Sequence, residues 1–436
     1  MEYTADILSL DYEGRGVAKT GGRTVFIANA LPQETVRFRI VREKNGFAEA
    51  EAEEILVPSP QRSTPPCPHY GECGGCAMQH IGFEAQAAMK QRVFEEQLWR
   101  IGKTFPEQIL PVVYGAPWHY RSRTRLAVET TAAGGEILLG YQARRSRRVV
   151  GIDTCLLLPE HVSGSLKTIH AALQDIARQQ PEHGIRSVEI SVGRRITALN
   201  VIGEKPLPQA VLHGLSGSLN AGGTAWQVWQ QIGANPPRAV SPENAPPLDY
   251  VLPEFGITMP FCLGDFTQIN TPLNEIMVSR AVRLLNPQPN EHVADLFCGL
   301  GNFTLPLARR AKSVVGAEGA EHLVRRAAAN ARANGIGNAR FVAADLFRAT
   351  PKLLAKLGAF DKLLLDPPRA GAYAVVQALE GKIRPFRIVY VSCNPATLAR
   401  DAAVLADKGY RFRSAGVMNL FPQTSHVEAV AVFEAA

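Results

Sequence analysis

The sequence predicts an α/β protein. A doubly wound parallel sheet lies at the C-terminal end, a small OB-like β-barrel at the N-terminal end, and an α+β block between them. Three observations predict it. From about residue 260 onward, short apolar strands alternate with helical stretches, as in a parallel sheet covered on both faces. Residues 1–58 read as short strands punctuated by turns at Gly14-Arg-Gly16 and Gly21-Gly22. A compact cysteine motif and arginine-rich extended segments fill the middle. The implied boundaries are 1–58, 59–255 and 256–436.

Composition narrows the class. With 436 residues, 46% of them hydrophobic, the chain can build several full cores. Its net charge of +7 suits an anionic partner. The N-terminus, Met-Glu-Tyr-Thr-Ala-Asp, lacks the basic and apolar regions of a signal peptide. No apolar run approaches the ~20 residues of a membrane span. A soluble, cytoplasmic protein without an obligate protein partner is expected. Seven clustered cysteines point to metal binding or catalysis rather than disulfides.

In the N-terminal part, Val36, Phe38 and Ile40 alternate with Arg37 and Arg39, and Arg42 and Lys44 extend the basic side. A five-stranded OB-type barrel fits, with the basic face either on nucleic acid or simply solvated. Gly-Arg-Gly-Val-Ala, then Thr-Val-Phe-Ile and Leu-Pro-Gln-Glu, resembles the TRAM domain, an RNA-binding barrel of RNA-modifying enzymes. Pro58, Pro60, Pro65 and Pro66 make a stiff linker.

Cys67, Cys73 and Cys76 follow as C-x5-C-Gly-Gly-C, a strong metal signal. Cys155 is the leading candidate for a fourth ligand, and Cys262 the runner-up. Zinc accepts four thiolates. An iron–sulfur cluster accepts this three-plus-one spacing more readily. His69 and His80 read as surface or packing residues. A helix is expected from Phe83 to about Arg100. Arg121, Arg123 and Arg125 then share a strand face, and Arg144, Arg145, Arg147 and Arg148 follow near aromatic residues. That surface suits phosphates and stacked bases; the ordinary alternative is a solvated basic hairpin. Trp226 and Trp229 read as packing residues.

The C-terminal part carries a series of strand-end polar sites. Val293–Phe297 leads into the glycine turn Cys298-Gly-Leu-Gly301-Asn302, short of a full dinucleotide fingerprint. Glu318 ends a second strand about 20 residues on, suited to ribose hydroxyls. Asp345 ends a third, and Asp366-Pro-Pro-Arg a fourth. Each acid alone could be a helix cap. In series they look like the S-adenosylmethionine-dependent methyltransferase fold, which is Rossmann-like. Strand Ile388–Ser392 then leads to Cys393, with Asn394 as N-cap and Pro395 at the first helical position. A cysteine at a helix N-terminus is expected to have a lowered pKa and to be nucleophilic.

The placement of Cys393 one strand after Asp-Pro-Pro-Arg resembles the RNA uracil-C5 methyltransferases. Further motifs extend the resemblance: Phe266-Thr-Gln268-Ile-Asn270, Asp-Leu-Phe-Cys-Gly-Leu-Gly-Asn-Phe-Thr-Leu-Pro, Val-Ser-Cys-Asn-Pro-Ala-Thr-Leu-Ala-Arg-Asp and Phe421-Pro-Gln-Thr-Ser-His-Val-Glu428. Within that family the chain is most similar to the bacterial 23S rRNA branch that has a TRAM domain and a [4Fe-4S] cluster. The resemblance implies methylation of a 23S rRNA uridine, with Cys393 as nucleophile and Glu428 as base. It implies S-adenosylmethionine contacts from Gln268, Phe297, Asn302, Glu318, Asp345 and Asp366, and a structural cluster on Cys67, Cys73, Cys76 and Cys155. Without the resemblance, Glu428 reads as a polar residue on the outer face of a final strand. A tRNA or another rRNA uridine is the alternative target, and a non-catalytic RNA-binding module the remote one.

Overall fold

The computed structural model describes residues 3–131 and 135–436. Strands Tyr3–Asp6, Ser9–Leu10, Gly16–Thr20, Arg23–Ala28, Thr35–Lys44 and Phe47–Val57 form one sheet. It has six strands rather than the five expected, because Ser9–Leu10 adds a two-residue pairing with Gly16 and Val17. Val36 and Phe38 are fully buried with Ile27 and Val25, as their alternation requires. The basic face is corrected in part. Arg37 lies against Glu54 and Arg39 against Glu53, on the neighbouring strand Phe47–Val57. These two arginines are neutralised by a glutamate-rich partner strand, so they are not free phosphate contacts.

The central sheet runs Val149–Gly151, Ile137–Gln142, Arg123–Thr130, Ile185–Val192, Thr197–Gly203, Trp226–Ile232, Arg238–Ser241. Helices Glu160–Gln179 and Gln209–Asn220 contribute their apolar faces to its core. Trp226 is buried there, as its packing assignment anticipates.

One stretch changes allegiance. Helix Phe83–Gln97 follows the cysteine loop, yet Phe94 and Leu98 join the C-terminal core with Leu398, Ala399 and Ala402. Gly102 lies so close that a Cβ would stand 2.6 Å from the Ala399 carbonyl oxygen. Gln108–Ile109 then pairs beside Ser414 and Ala415 as an edge strand. Residues 83–109 therefore pack on the C-terminal body.

That body is built on an eight-stranded sheet in the order Ala339–Ala343, Ser313–Glu318, His292–Leu296, Lys362–Leu365, Arg387–Ser392, Glu428–Ala435, Tyr410–Met418, Gln108–Ile109. The first five strands are parallel. Glu428–Ala435 inserts antiparallel between Arg387–Ser392 and Tyr410–Met418. The order reverses at His292–Leu296, and the strands' carboxyl ends there open the ligand crevice of doubly wound sheets. No described helix is long and apolar enough to cross a membrane.

A buried polar node fixes the loop after Asp366. Asp401, fully buried, accepts hydrogen bonds from the Tyr390 hydroxyl and the Ala372 amide, both at 2.8 Å. Arg400 donates to its other oxygen at 2.7 Å. Gly371, at φ +80°, passes so close that a Cβ would meet Asp401 Oδ2 at 2.8 Å. Tyr390→Phe should lower the unfolding free energy by about 1–3 kcal/mol, since it leaves part of a buried carboxylate unpaired. Denaturant melts read this, and an unchanged midpoint would contradict the assigned role of the node.

Candidate active site

Strand ends place the polar groups. After Leu296 the chain turns through Phe297, a non-glycine residue at φ +66°. Gly299 and Gly301 follow at φ +54° and +96°. Nothing lies within 4 Å of a Cβ built on Gly299, so the turn presents bare backbone. Glu318, at the end of the next strand, accepts from the Gly299 amide at 3.2 Å and the Ala320 amide at 3.0 Å. Asp345 caps a short turn through the Phe347 amide. The Phe297 and Phe347 rings, 5.6 Å apart, make a half-open aromatic wall. Asn302 lines the cleft, but its amide already bonds Tyr250 and Asn274 at 2.8–3.0 Å. Beneath the turn, Asp295 is buried against Thr304 at 2.5 Å, with Oδ1 unpartnered, and burial pushes it up to about 7.

Gln268, Phe297, Asn302, Glu318, Asp345, Asp366, Cys393 and Glu428 all line this one cleft. The open glycine turn, acidic strand ends and aromatic wall suit a nucleoside carrying a positive charge.

Cys393 stands between strand Arg387–Ser392 and helix Pro395–Asp407, with Asn394 capping the Ala396 amide at 3.1 Å. Ser392 pairs with Ala429 across the antiparallel ladder, so the next step of that register sets Cys393 opposite Glu428. Glu428 is 2% exposed, which excludes the outer-face alternative. Burial, and then Asp366, hold its carboxyl well above the usual range. Burial and then Asp295 push Asp366 up to about 8.

The pKa expectation for Cys393 is overturned. Burial, then Glu428 and Asp366, push the thiol up to about 11, and only Arg369 and a backbone hydrogen bond oppose them. Two nearby carboxylates and desolvation outweigh the helix N-terminus, whose Ala396 donor Asn394 already engages. Burial and the two carboxylates therefore favour the protonated thiol.

The cysteine motif also converges. Cys67, Cys73, Cys76 and Cys155 line one small cavity with Tyr70 and Tyr141, while exposed Cys262 lies elsewhere, against Arg326. The first glycine of the motif is required by contact: a Cβ on Gly74 would stand 2.7 Å from the Gln142 carbonyl oxygen. Burial pushes the Cys76 thiol up to about 12 and raises Cys73 and Cys155. Such thiols ionise readily only beside a cation. Among the described residues, no three His, Cys, Asp or Glu side chains converge as ligands of a single metal ion. Cys67, Cys73, Cys76 and Cys155 together offer four sulfur donors to this one cavity. His80 is a packing residue, buried and bonded to Tyr70 at 2.6 Å.

The arginine surface divides. Arg144 donates to the Cys76 carbonyl at 2.8 Å and stacks on Tyr70. Arg123 pairs with Glu189. Both hold structure together. Arg121 and Arg125 line the cleft, while Arg145, Arg147 and Arg148 line an adjoining groove that reaches Cys393 from the N-terminal barrel.

Known proteins are similar throughout. Residues 1–52 match the TRAM domain, and residues 257–435 match the tRNA (Uracil-5-)-methyltransferase family. The 23S rRNA (uracil(1939)-C(5))-methyltransferase RlmD of Neisseria lactamica is 51% identical over 99% of this chain and 95% of its own. The enzyme of the same name from Thiobacillus denitrificans is 45% identical over the whole of both chains. The chain belongs to the 23S rRNA (uracil-C5)-methyltransferase family. Among solved structures, the Pyrococcus abyssi tRNA (uracil-54, C5)-methyltransferase bound to S-adenosyl-L-homocysteine aligns with TM-score 0.74 over 99% of this chain. At 22% identity it speaks for the fold of this methyltransferase.

Sequence reasoning missed two residues beside Cys393. Arg369 donates to His426 Nδ1 at 2.9 Å, and both line the cleft. Burial and Arg369 hold His426 down to about 4, so its ring is neutral. Their signal was present in Asp-Pro-Pro-Arg369 and Ser-His426-Val-Glu, where attention went to the carboxylates. In this methyltransferase, alkylation of Cys393 by iodoacetamide should be slow near neutral pH and rise toward about 11. Glu428→Gln removes a carboxylate that raises the thiol, so it should shift that profile to lower pH. Peptide mass spectrometry resolves the site. A rate at Cys393 that is flat with pH would contradict the burial argument.

Proposed function

We propose that the protein transfers a methyl group from S-adenosylmethionine to C5 of one uridine in 23S rRNA, the position that its relatives' names give as 1939. The observation that carries the substrate is the reach of the similarity. Identity of 51% and 45% extends over 99% and 100% of the chain and so includes the central block, the region set to select the RNA. The TRAM barrel and the arginine-lined groove would hold the RNA, and the target base would enter the cleft flipped out of its stack.

Uracil C5 is too electron-poor to attack a sulfonium methyl directly. In the proposed reaction the Cys393 thiolate adds to C6, and the C5–C6 electron pair moves toward O4, leaving C5 an enolate carbon. C5 would then take the methyl group, the electron pair of the broken carbon–sulfur bond staying on sulfur as a neutral thioether. Glu428 removes the C5 proton, the pair re-forms the double bond, and the thiolate leaves. A buried carboxyl with a raised pKa, set opposite Cys393, suits that base. When bound, the cofactor supplies the electrophilic methyl and a positive charge that favours the ionised forms of the groups around it. Gln268, Phe297, Asn302, Glu318, Asp345 and Asp366 would surround it, with Phe297 and Phe347 walling the base and Glu318 facing the ribose. Asn302 would contribute as wall, its amide being engaged.

Cys67, Cys73, Cys76 and Cys155 would hold a [4Fe-4S] cluster in a structural role, consistent with a cytoplasmic protein whose thiols stay reduced.

Labelled S-adenosylmethionine with unmodified 23S rRNA or tRNA tests the reaction. 5-Methyluridine is expected in 23S rRNA alone. It should fall below detection in Cys393→Ala and drop by about 10²–10⁴-fold in Glu428→Gln. Label only in tRNA would overturn the substrate, and label retained in Cys393→Ala would overturn the mechanism. Anaerobically purified protein should hold about four iron and four sulfide, lost in Cys73→Ala. One zinc in their place would contradict the cluster.

A further inference from the structure

The nine-residue loop 419–427 joins strands Tyr410–Met418 and Glu428–Ala435. It carries Phe421, Thr424, Ser425 and His426 into the cleft and ends on Glu428. A hairpin loop of this length is usually mobile. Here four successive carbonyls are each held by a different part of the chain. Leu420 accepts from Asn270 Nδ2 at 2.9 Å and Phe421 from Lys90 Nζ at 2.9 Å. Pro422 accepts from the Tyr120 hydroxyl at 2.8 Å. Gln423 accepts from the Ala77 and Met78 amides at 2.9 and 3.0 Å.

Lys90 is the one amine side chain in this set, and burial lowers its pKa to about 7. It is 2% exposed, on helix Phe83–Gln97, and its ammonium also donates to Asn419 Oδ1 at 2.7 Å. Asn419 is fully buried and follows Met418, the residue paired with Glu428 across the ladder. Lys90 thus fastens the loop at its start, beside the strand partner of Glu428, and again at Phe421. One turn earlier, Gln86 bonds both the amide and the side chain of Gln423 at 2.9 Å. Burying an ammonium is costly unless it is well bonded. Among the described residues, both hydrogen bonds of the Lys90 amine go to this loop. A methionine would fill a similar volume there, one turn before Phe94, without donating to the loop.

We propose that Lys90 is a positioning residue for proton removal from C5: it sets the loop 419–427, and with it Glu428, against the methylated base. The proposal rests on the reading of Glu428 as that base. Cys393 hangs from a different strand and helix, so the loop should matter less for addition and methyl transfer than for the last step.

5-Fluorouridine separates these steps, because addition and methyl transfer proceed while the C5 fluorine cannot leave as a proton. Lys90→Met should form the Cys393 adduct with 5-fluorouridine RNA within about threefold of the wild-type rate. On unmodified RNA it should release tritium from [5-³H]uridine at least about tenfold more slowly, the scale of a sub-ångström misplacement. It should also accumulate a methylated covalent complex. Lys90→Gln, which keeps a donor, should recover part of the release rate and serves if Lys90→Met does not fold. Glu428→Gln runs beside them. If it fails to accumulate the methylated complex, the reading of the base falls. If it accumulates the complex while the Lys90 variants lose trapping and release in parallel, or lose neither, the proposal for Lys90 falls.

Discussion

An antiparallel ladder at the end of a parallel sheet is the constraint on which this molecule depends. Arg387–Ser392 runs with its parallel neighbours, so its carboxyl end opens toward the crevice. Glu428–Ala435 runs against it, so its first residue arrives at the same place. A sulfur and a carboxylate thereby come from opposite chain directions to face one another. A purely parallel sheet would bring only carboxyl ends to the crevice. The inserted strand supplies an amino end there, and Glu428 is that end.

The electrostatics follow from this crowding. Asp366, Cys393 and Glu428 share a recessed region in which burial dominates: Asp295 then raises Asp366, Asp366 raises Glu428, and both Glu428 and Asp366 raise Cys393. These groups therefore favour their protonated forms, and a positive charge beside them would favour the ionised ones. The cysteine loop, the helix after it, the central block and Asn270 all grip the loop before Glu428. This hairpin is therefore the place where the parts of the chain are tied together.

Much of this was legible in the sequence. Alternation of strands and helices gave the sheet, and strand-end acids gave the cleft. The spacing of Cys67, Cys73 and Cys76 pointed to their shared cavity. The misses have physical causes. A local rule assigned Cys393 a low pKa from its helix N-terminus, whereas burial and two carboxylates remote in sequence but near in space raise it. Arg37, Arg39, Arg123 and Arg144 counted as free charge until their partners, Glu54, Glu53, Glu189 and the Cys76 carbonyl, were placed by the fold. Helix Phe83–Gln97 followed the cysteine loop in order but found its complementary apolar surface far along the chain. Lys90 and Gln86 carried no sequence signal, because a buried polar side chain looks like a solvated one until its acceptors are known.

The most direct test of the central claim is to locate the bond between enzyme and RNA. Wild-type protein would be trapped on 5-fluorouridine-substituted 23S rRNA with S-adenosylmethionine, digested with protease and nuclease, and analysed by mass spectrometry. The account predicts a fluorouracil nucleotide, one methyl heavier, attached through sulfur to the peptide containing Cys393. Attachment at another residue, or a methylated product without any covalent complex, would contradict it.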